Sequence, residues 1–173
     1  MLLSLFCINK AVQGGYGGMG MEIERKWLVG RLPEALTQYP FRELTQAYLN
    51  FSPAIRVRRE RSGDSEHYEL TYKGPGAYAR REENMPLDRA SYESLLRKCE
   101  GLVIVKKRYL IPLGAYTAEL DVFEGVLRGL CLVEVEFPSE AEGAAFSAPD
   151  WFGEDVTASG KYSNAHLART HFQ

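Results

Sequence analysis

From Met21 onward, polar and apolar positions alternate with a period of two over eight short stretches. Because successive side chains of a β-strand point to opposite faces, this period predicts strands rather than helices. The stretches begin near Glu22, Glu43, Ile55, Tyr68, Arg80, Val105, Ala118 and Val133. Short turn clusters at 61–65, 74–76 and 112–114 join neighbouring stretches, which favours antiparallel hairpins over crossover connections.

Helical spacing is confined to three segments. Pro86 and Asp88 precede apolar residues at helical spacing, and this pattern predicts a helix that ends before Gly101. Shorter helices are predicted near Pro33 and over 163–169. The fold class is therefore α+β, predominantly β, with a few helices beside one antiparallel sheet.

Residues 1–20 differ from the rest of the chain. They contain an apolar patch and several glycines, but no strand period and no basic residue before the patch, as a secretory signal would require. We expect a flexible lead-in here, followed by one domain over 21–173. The chain of 173 residues, 45% of them hydrophobic, is long enough for a core of its own. No apolar run approaches the ~18 residues of a membrane-spanning helix.

Charge and cysteine content narrow the classes of partner. The net charge of −2 argues against general binding of nucleic acid, so an anion site must concentrate its cations in one place. The three cysteines, Cys7, Cys99 and Cys131, are odd in number and have no metal-ligand spacing. This pattern favours reduced thiols in a cytoplasmic protein without membrane partners.

The polar faces of the predicted strands are unusually rich in Glu and Arg at i, i+2 spacing. A sheet with one face in water would also alternate, but Thr, Ser and Lys would then be expected on the exposed face. Acids concentrate on the seventh and eighth strands, and bases on the third and sixth. Eight strands are also about the number that closes around a narrow lumen. We therefore predict a closed eight-stranded antiparallel tunnel, charged inside and apolar outside.

Such a lumen needs a ligand that matches both signs of charge. Its cations would be Lys26, Arg56, Arg58, Lys73, Arg80, Lys106 and Arg108. Its acids would be Glu22, Glu24, Glu82, Glu119, Asp121, Glu134 and Glu136. Two like charges about 6 Å apart repel by about 3 kcal/mol at an effective dielectric near 20, so the cations need anions. A polyphosphate that carries Mg²⁺ or Mn²⁺ suits the set, since guanidinium and ammonium groups bind phosphoryl oxygens and carboxylates bind hard cations.

The segment Glu22-Ile-Glu24-Arg-Lys26 resembles the ExExK signature of the CYTH superfamily, the triphosphate tunnel metalloenzymes. Further segments resemble this family in order over 21–169: IRVRR (55–59), ELTYKGPG (69–76), RRExxxPL (80–87), KKRY (106–109), AELDVFEG (118–125), LVEVEF (132–137) and DVT…KYSN (155–164). The resemblance implies an eight-stranded tunnel that binds a triphosphate moiety and uses a divalent metal ion to cleave it.

The resemblance also implies roles for individual residues. The metal ligands would be Glu22 and Glu24, joined by Glu134 or Glu136. The phosphate-binding residues would be Lys26, Arg56, Arg58, Lys73, Arg80, Lys106, Arg108 and Lys161. The catalytic acids, which bind a second metal ion or orient water, would be Glu119, Asp121 and Glu82.

Three positions leave alternatives open. Lys107 could take the place of Lys106, and the pair Arg81 and Glu83 could face the lumen instead of Arg80 and Glu82. At Asn84 the family often has a further glutamate, so Glu82 would act there alone.

The favoured function is metal-dependent hydrolysis of inorganic triphosphate, a small-molecule substrate. Only about 150 residues follow Met21, and their short hairpins leave no insertion for a nucleobase or thiamine pocket. The alternatives are a class IV-type adenylyl cyclase that converts ATP to cyclic AMP and pyrophosphate, and an organic triphosphatase. A non-catalytic polyphosphate binder is least favoured, because the predicted metal ligands are all present. A homodimer is left open.

Overall fold

All eight period-two stretches form strands in the computed structural model, which describes residues 20–74 and 79–169. The strands are β1 (Gly20–Val29), β2 (Phe41–Phe51), β3 (Ala54–Ser62), β4 (Ser65–Lys73), β5 (Ala79–Leu87), β6 (Glu100–Leu113), β7 (Tyr116–Phe123), β8 (Cys131–Glu136) and β9 (Phe152–Asp155). The helices are α1 (Arg89–Leu96), α2 (Glu140–Ala145) and α3 (Asn164–Arg169). Short 3-10 turns lie at Leu36–Gln38, Gly125–Leu127 and Thr157–Ser159.

The first eight strands pair into an antiparallel ring in the order β5–β4–β3–β2–β6–β7–β8–β1. The ring closes because β1 pairs on two sides. Its first residues, Gly20 to Ile23, pair with β5, and its residues from Glu24 onward pair with β8. The predicted eight-stranded antiparallel tunnel is therefore confirmed, and β9 is a short addition beside β1.

Most of the hydrophobic core lies outside the ring. The outward side chains of β1, β7 and β8, including Trp27, Leu120 and Val133, pack against Phe146 and Phe152 from the segment that follows β8. The outer faces of β2 and β3 pack in the same way under Tyr92 of α1. Each large apolar side chain buried in this way contributes about 1.5–3 kcal/mol. The packing outside the ring thus leaves the inward positions available for polar residues.

One end of the ring interior is apolar. Ile104, Phe123 and Leu132 occupy inward positions one step beyond the charged residues of β6, β7 and β8, and Leu167 of α3 packs on them. Gly101 permits this close packing, because its φ is +73° and a Cβ there would overlap the carbonyl oxygen of Ala168. The helix α3 therefore covers this end of the ring.

Some predicted boundaries were wrong. Asp88 does begin α1, since its carboxylate accepts a hydrogen bond from the amide of Ser91 at 2.6 Å, but Pro86 still belongs to β5. The helix predicted near Pro33 is only the 3-10 turn at Leu36–Gln38. The short elements α2 and β9 were not predicted at all.

Three further predictions concern the N-terminal segment, the cysteines and membrane spans. Except for Gly20, the predicted lead-in 1–20 lies outside the described residues, as does Cys7. Cys99 and Cys131 are free thiols, as predicted. Within the described ranges, no helix combines the length and the apolar character needed to cross a membrane.

Candidate functional site

The charged faces of the ring enclose a cavity of about 680 Å³. The ionisable residues on its wall are Glu24, Lys26, Arg42, Arg56, Arg58, Glu60, Glu69, Lys73, Glu82, Arg108, Glu119, Glu134 and Glu136. All eight strands of the ring take part in forming the wall or its support. The cavity therefore brings together most of the residues that the sequence placed in a charged lumen.

Arg56 and Arg58, two residues apart on β3, share the neighbouring carboxylate of Glu69. Arg56 donates hydrogen bonds to Thr71 Oγ1 at 2.8 Å and to Glu69 Oε1 at 3.2 Å. Arg58 donates to Gln46 Oε1 at 3.3 Å. The Nε atoms of both arginines are buried without a hydrogen-bond partner among the described residues. Two buried cationic donors without partners indicate a site for an anion.

The electrostatics of Arg58 support this interpretation. Burial and the neighbouring charges of Arg56 and Arg108 lower the pKa of Arg58 from 12.5 to about 10. The nearest carboxylate, Glu69, lies 3.5 Å from the Arg58 guanidinium and offsets only part of this effect. The electrostatic potential around Arg58 is therefore positive, and a bound anion would stabilise the charged guanidinium.

A hydrogen-bonded chain supports the next part of the wall. Thr71 Oγ1 donates to Asn84 Oδ1 at 2.6 Å, and Asn84 Nδ2 donates to Glu82 Oε1 at 3.0 Å. Glu82 also pairs with Lys73 at 2.5 Å. Glu82 therefore faces the cavity, and Asn84 orients it.

The neighbouring residues of β5 settle which frame faces the lumen. Arg81 and Glu83 are exposed and pair with each other on the outer side of β5. The alternative in which these two residues face the lumen is therefore wrong.

Arg108 connects the acids of β7 and β8. It binds Asp121 through two hydrogen bonds of 2.7 Å, from Nε and Nη2, and it also binds Glu119 and, at 2.6 Å, Glu134. The other oxygen of Glu134 pairs with Lys26 at 2.8 Å. Burial raises the pKa of Glu134, but Lys26, Arg108 and Lys106 outweigh burial and hold that pKa well below its usual range. Glu134 is therefore an ionised carboxylate inside the protein.

Lys106 and Asp121 lie beneath the cavity wall, and each is 1% exposed. The Lys106 ammonium contacts Asp121 and, at 3.3 Å, Asn164 Oδ1 of α3. Burial lowers the pKa of Lys106 to about 8, although Asp121 opposes this shift. Neither residue lines the cavity. Lys106 contacts a carboxylate and Asp121 holds Arg108, so their predicted roles in binding phosphate and in catalysis stay predictions.

Three other predicted residues have different outcomes. Lys107 lies on the outer side of β6, 3.7 Å from Glu124, so it does not replace Lys106. Lys161 is exposed in the turn before α3 and is not part of the cavity wall, so its closing role stays a prediction. The side chains of Glu22 and Arg80 lie outside the described part, although their backbones pair across β1 and β5.

The carboxylates on one side of the cavity suit a hard divalent cation. Glu24 lies directly opposite Glu136 across β1 and β8, and Glu119 lies opposite Glu134 across β7 and β8. Like charges in directly opposite positions destabilise a sheet, and a cation between them would relieve this repulsion. Their donors are all oxygen, as Mg²⁺ and Mn²⁺ prefer. In residues 20–74 and 79–169, however, no three such groups already stand in metal-binding geometry.

Some residues of the site were not predicted from the sequence. Gln46 and Tyr48 of β2 support or line the cavity, and Asn164 reaches the network from α3. The alternation of Gln46 and Tyr48 with apolar neighbours could have placed them on the inner face. Nothing in the local sequence could have placed Asn164 against Lys106, because 58 residues separate them.

A closed antiparallel ring with buried arginines, lysines and glutamates along its inner wall defines a tunnel protein for a highly charged ligand. The CYTH domain family matches residues 20–170. The chain belongs to this family.

The chain is also similar to two curated proteins and to a protein of known structure. The inorganic triphosphatase of Nitrosomonas europaea is 41% identical over 151 residues, which cover 85% of this chain and 96% of that protein. The inorganic triphosphatase of Acetivibrio thermocellus is 34% identical over 159 residues, which cover 90% and 97% of the two chains. The crystal structure of the inorganic triphosphatase NE1496 has a TM-score of 0.62 at 38% identity and covers 86% of this chain and 98% of that one.

Proposed function

We propose that this protein is a divalent-metal-dependent triphosphatase that hydrolyses inorganic triphosphate inside the tunnel, in the cytoplasm. The observation that carries the proposal is the pair Arg56 and Arg58, which border the cavity of about 680 Å³ and whose buried Nε donors have no partner among the described residues. Two curated relatives, which match almost over their full length, are named inorganic triphosphatase. Inorganic triphosphate is a compact polyanion, which suits the arginine pair of the cavity and agrees with the names of the two relatives.

The cations of the wall bind and orient the phosphate chain. The cavity is bordered by Arg56 and Arg58 of β3, Lys73 of β4 and Arg108 of β6. Because these cations project from three strands, they can hold several phosphoryl oxygens at once. Arginine suits this task because its planar guanidinium presents several donors in a fixed arrangement. Phosphoryl transfer needs mainly positioning and charge stabilisation, so such a rigid wall supplies much of the catalysis.

The acids would hold the metal ion and the attacking water. Glu24 and Glu136, with Glu119 and Glu134 beside them, would bind Mg²⁺ or Mn²⁺, which neutralises charge on the phosphoryl oxygens when bound. Glu119 or Glu82 would orient the water, because both border the cavity. Water attacks the terminal phosphorus, the bridging P–O bond breaks, and orthophosphate and pyrophosphate leave. The predicted contributions of Glu22 and Arg80 belong to the same proposal.

A substrate panel tests this function directly. Tripolyphosphate, ATP and thiamine triphosphate are each incubated with Mg²⁺ or Mn²⁺, and phosphate, pyrophosphate and cyclic AMP are all measured. We expect tripolyphosphate to give equal amounts of phosphate and pyrophosphate. Conversion of ATP to cyclic AMP, with tripolyphosphate left intact, would establish the cyclase instead.

Two variants test the assignment of roles. Glu24→Gln should abolish turnover because it removes a metal ligand, whereas Arg58→Ala should mainly raise KM. Full activity of both variants would contradict the proposed site.

A further inference from the structure

Two of the carboxylates that would bind the metal ion, Glu134 and Glu119, are already paired with cations that would bind phosphate. Both oxygens of Glu134 are occupied, one by Lys26 at 2.8 Å and the other by Arg108 at 2.6 Å. Glu119 is also bound by Arg108. This agrees with the lack of a preformed three-ligand metal group in the described part of the chain. On the acidic side of the tunnel, the charges of the wall thus offset one another.

These pairs lie in a place where an unpaired charge is unfavourable. The side chains of Lys26, Arg108 and Glu134 are 10%, 10% and 8% exposed. Removal of one partner from a buried ion pair leaves the other charge without compensation. A divalent cation that arrives alone gains Glu134 as a ligand only by displacing Lys26 and Arg108, and a polyphosphate that arrives alone gains Lys26 and Arg108 only by displacing Glu134 and Glu119. Each ligand alone therefore meets a site that is partly occupied.

We infer that polyphosphate and the divalent cation enter by an exchange of ion pairs. Phosphoryl oxygens take over Lys26 and Arg108, and the released carboxylates of Glu134 and Glu119 turn to the cation. This inference rests on the proposed function and specifies how its site is assembled. The metal site is latent in the free protein and forms when the anion binds.

The exchange has a thermodynamic consequence. Because each ligand removes the competitor of the other, tripolyphosphate raises the affinity for the cation, and the cation raises the affinity for tripolyphosphate by the same factor. This coupling belongs to the protein and adds to the attraction between the two ligands in solution. Calorimetry with Mn²⁺ alone, with a non-hydrolysable methylene analogue of tripolyphosphate alone in chelator, and with both ligands together should show it, because the analogue is not consumed when the metal ion is present.

Lys26→Met gives the most specific test, because it frees one oxygen of Glu134. Loss of the Lys26 ammonium group should raise the affinity of the protein for Mn²⁺ alone by about tenfold. Electron paramagnetic resonance of Mn²⁺ measures this affinity in the absence of any phosphate. Arg42→Met is the matched control. It removes one positive charge from the same cavity wall, but Arg42 pairs with Glu60 at 2.9 Å and not with Glu134. The control should change Mn²⁺ affinity clearly less.

Glu134→Gln provides a second test that does not depend on a folded Lys26 variant. The amide keeps the shape of the side chain but has no charge, so it competes less for Lys26 and Arg108. Tripolyphosphate in chelator should bind this variant at least as tightly as the wild type, and added Mn²⁺ should strengthen its binding clearly less than in the wild type. Circular dichroism confirms the fold of each variant.

The outcomes separate the two proposals. Equal gains in Mn²⁺ affinity for Lys26→Met and Arg42→Met would overturn the exchange, since a general field effect would then suffice. Independent binding of Mn²⁺ and tripolyphosphate to the wild type would also overturn the exchange and leave the proposed function intact. If neither ligand binds to the wild type, both proposals fail.

Discussion

Arg58 carries its positive charge in surroundings that disfavour it, because the side chain is buried and lies near two other arginines. Burial and the like charges of Arg56 and Arg108 bring its pKa down to about 10, and Glu69 compensates only in part. A bound anion would favour the protonated guanidinium, so anion binding and protonation of Arg58 are linked. The effect should appear at high pH, where the free protein begins to lose this proton.

Tripolyphosphate should therefore bind more weakly as the pH rises through about 10. In Arg58→Lys, the decline should begin at a lower pH, because lysine starts from a lower ordinary pKa and meets the same burial. Calorimetric titrations from about pH 8 to about pH 11 would measure both curves. Arg42→Lys serves as the control on the cavity wall, and identical onsets in the wild type and Arg58→Lys would contradict the assignment.

Thr71 is fully buried and supports the arginine side of the site. Its hydroxyl accepts a hydrogen bond from Arg56 at 2.8 Å and donates one to Asn84 at 2.6 Å. Thr71→Val keeps the volume but removes two hydrogen bonds, each worth about 0.5–1.5 kcal/mol, so the free energy of unfolding should fall by about 1–3 kcal/mol. Urea denaturation measures this loss, and the exposed Thr117→Val should change stability little. Equal losses in the two variants would argue against the buried chain.

At the scale of residues, the sequence predicted which face a side chain occupies but not its depth. Glu119 and Asp121 are two positions apart on β7 and share a face, yet Glu119 borders the cavity and Asp121 is buried. Lys106 and Arg108 differ in the same way on β6. Depth depends on strand tilt and on what covers the end of the ring, and neither is encoded in the local period.

Among the elements, the outer segment after β8 is held mainly by contacts distant in sequence. Arg25 on the outer face of β1 pairs with Asp155 of β9 at 2.5 Å. It also donates to the carbonyl oxygen of Gly143 in α2 at 2.8 Å. The elements α2 and β9 have only six and four residues, so their own sequences carry little period. The strands of the ring were predictable because each spans several repeats of the period.

The contact between α3 and β6 can be tested at Gly101. Gly101→Ala places a Cβ against the carbonyl oxygen of Ala168 and should displace α3, with a loss of stability of about 1–3 kcal/mol and faster amide exchange in α3. Gly114→Ala is the control, because Gly114 also has a positive φ, +60°, but nothing lies within 4 Å of its added Cβ. Exchange measured by mass spectrometry should separate the two variants. Unchanged exchange in α3 would mean that the helix does not depend on this contact.

At the scale of the molecule, closure of the ring could be predicted from the sequence. A lumen lined with charges of both signs explained why Glu and Arg occupy the inner faces of the strands. The split pairing of β1 could not be predicted in the same way. The strand leaves β5 at Ile23 and pairs with β8 from Glu24, and both of these neighbours are antiparallel. Register depends on the whole set of strand tilts, which no single stretch of sequence specifies.

Filling of the tunnel should stabilise the whole molecule. A ligand at about 100 times its Kd adds about 2.7 kcal/mol to the free energy of unfolding, which corresponds to a rise in Tm of roughly 5–10 °C for a protein of this size. Calorimetric scans with tripolyphosphate in chelator, where no metal ion supports its hydrolysis, should show this rise. Sulfate at equal ionic strength is the control, and equal rises with both anions would indicate a general salt effect.

Most of the hydrophobic core lies outside the ring, so most of the residues that stabilise the fold are separate from those that face the ligand. Trp27, Leu120 and Val133 point away from the lumen, while their chain neighbours Lys26, Asp121 and Glu134 point toward it. Inner residues exchanged as complementary pairs would therefore leave the outer packing untouched. The ring is therefore a suitable scaffold for redesign, because substitutions on its inner face could change the ligand preference while the outer core stays the same.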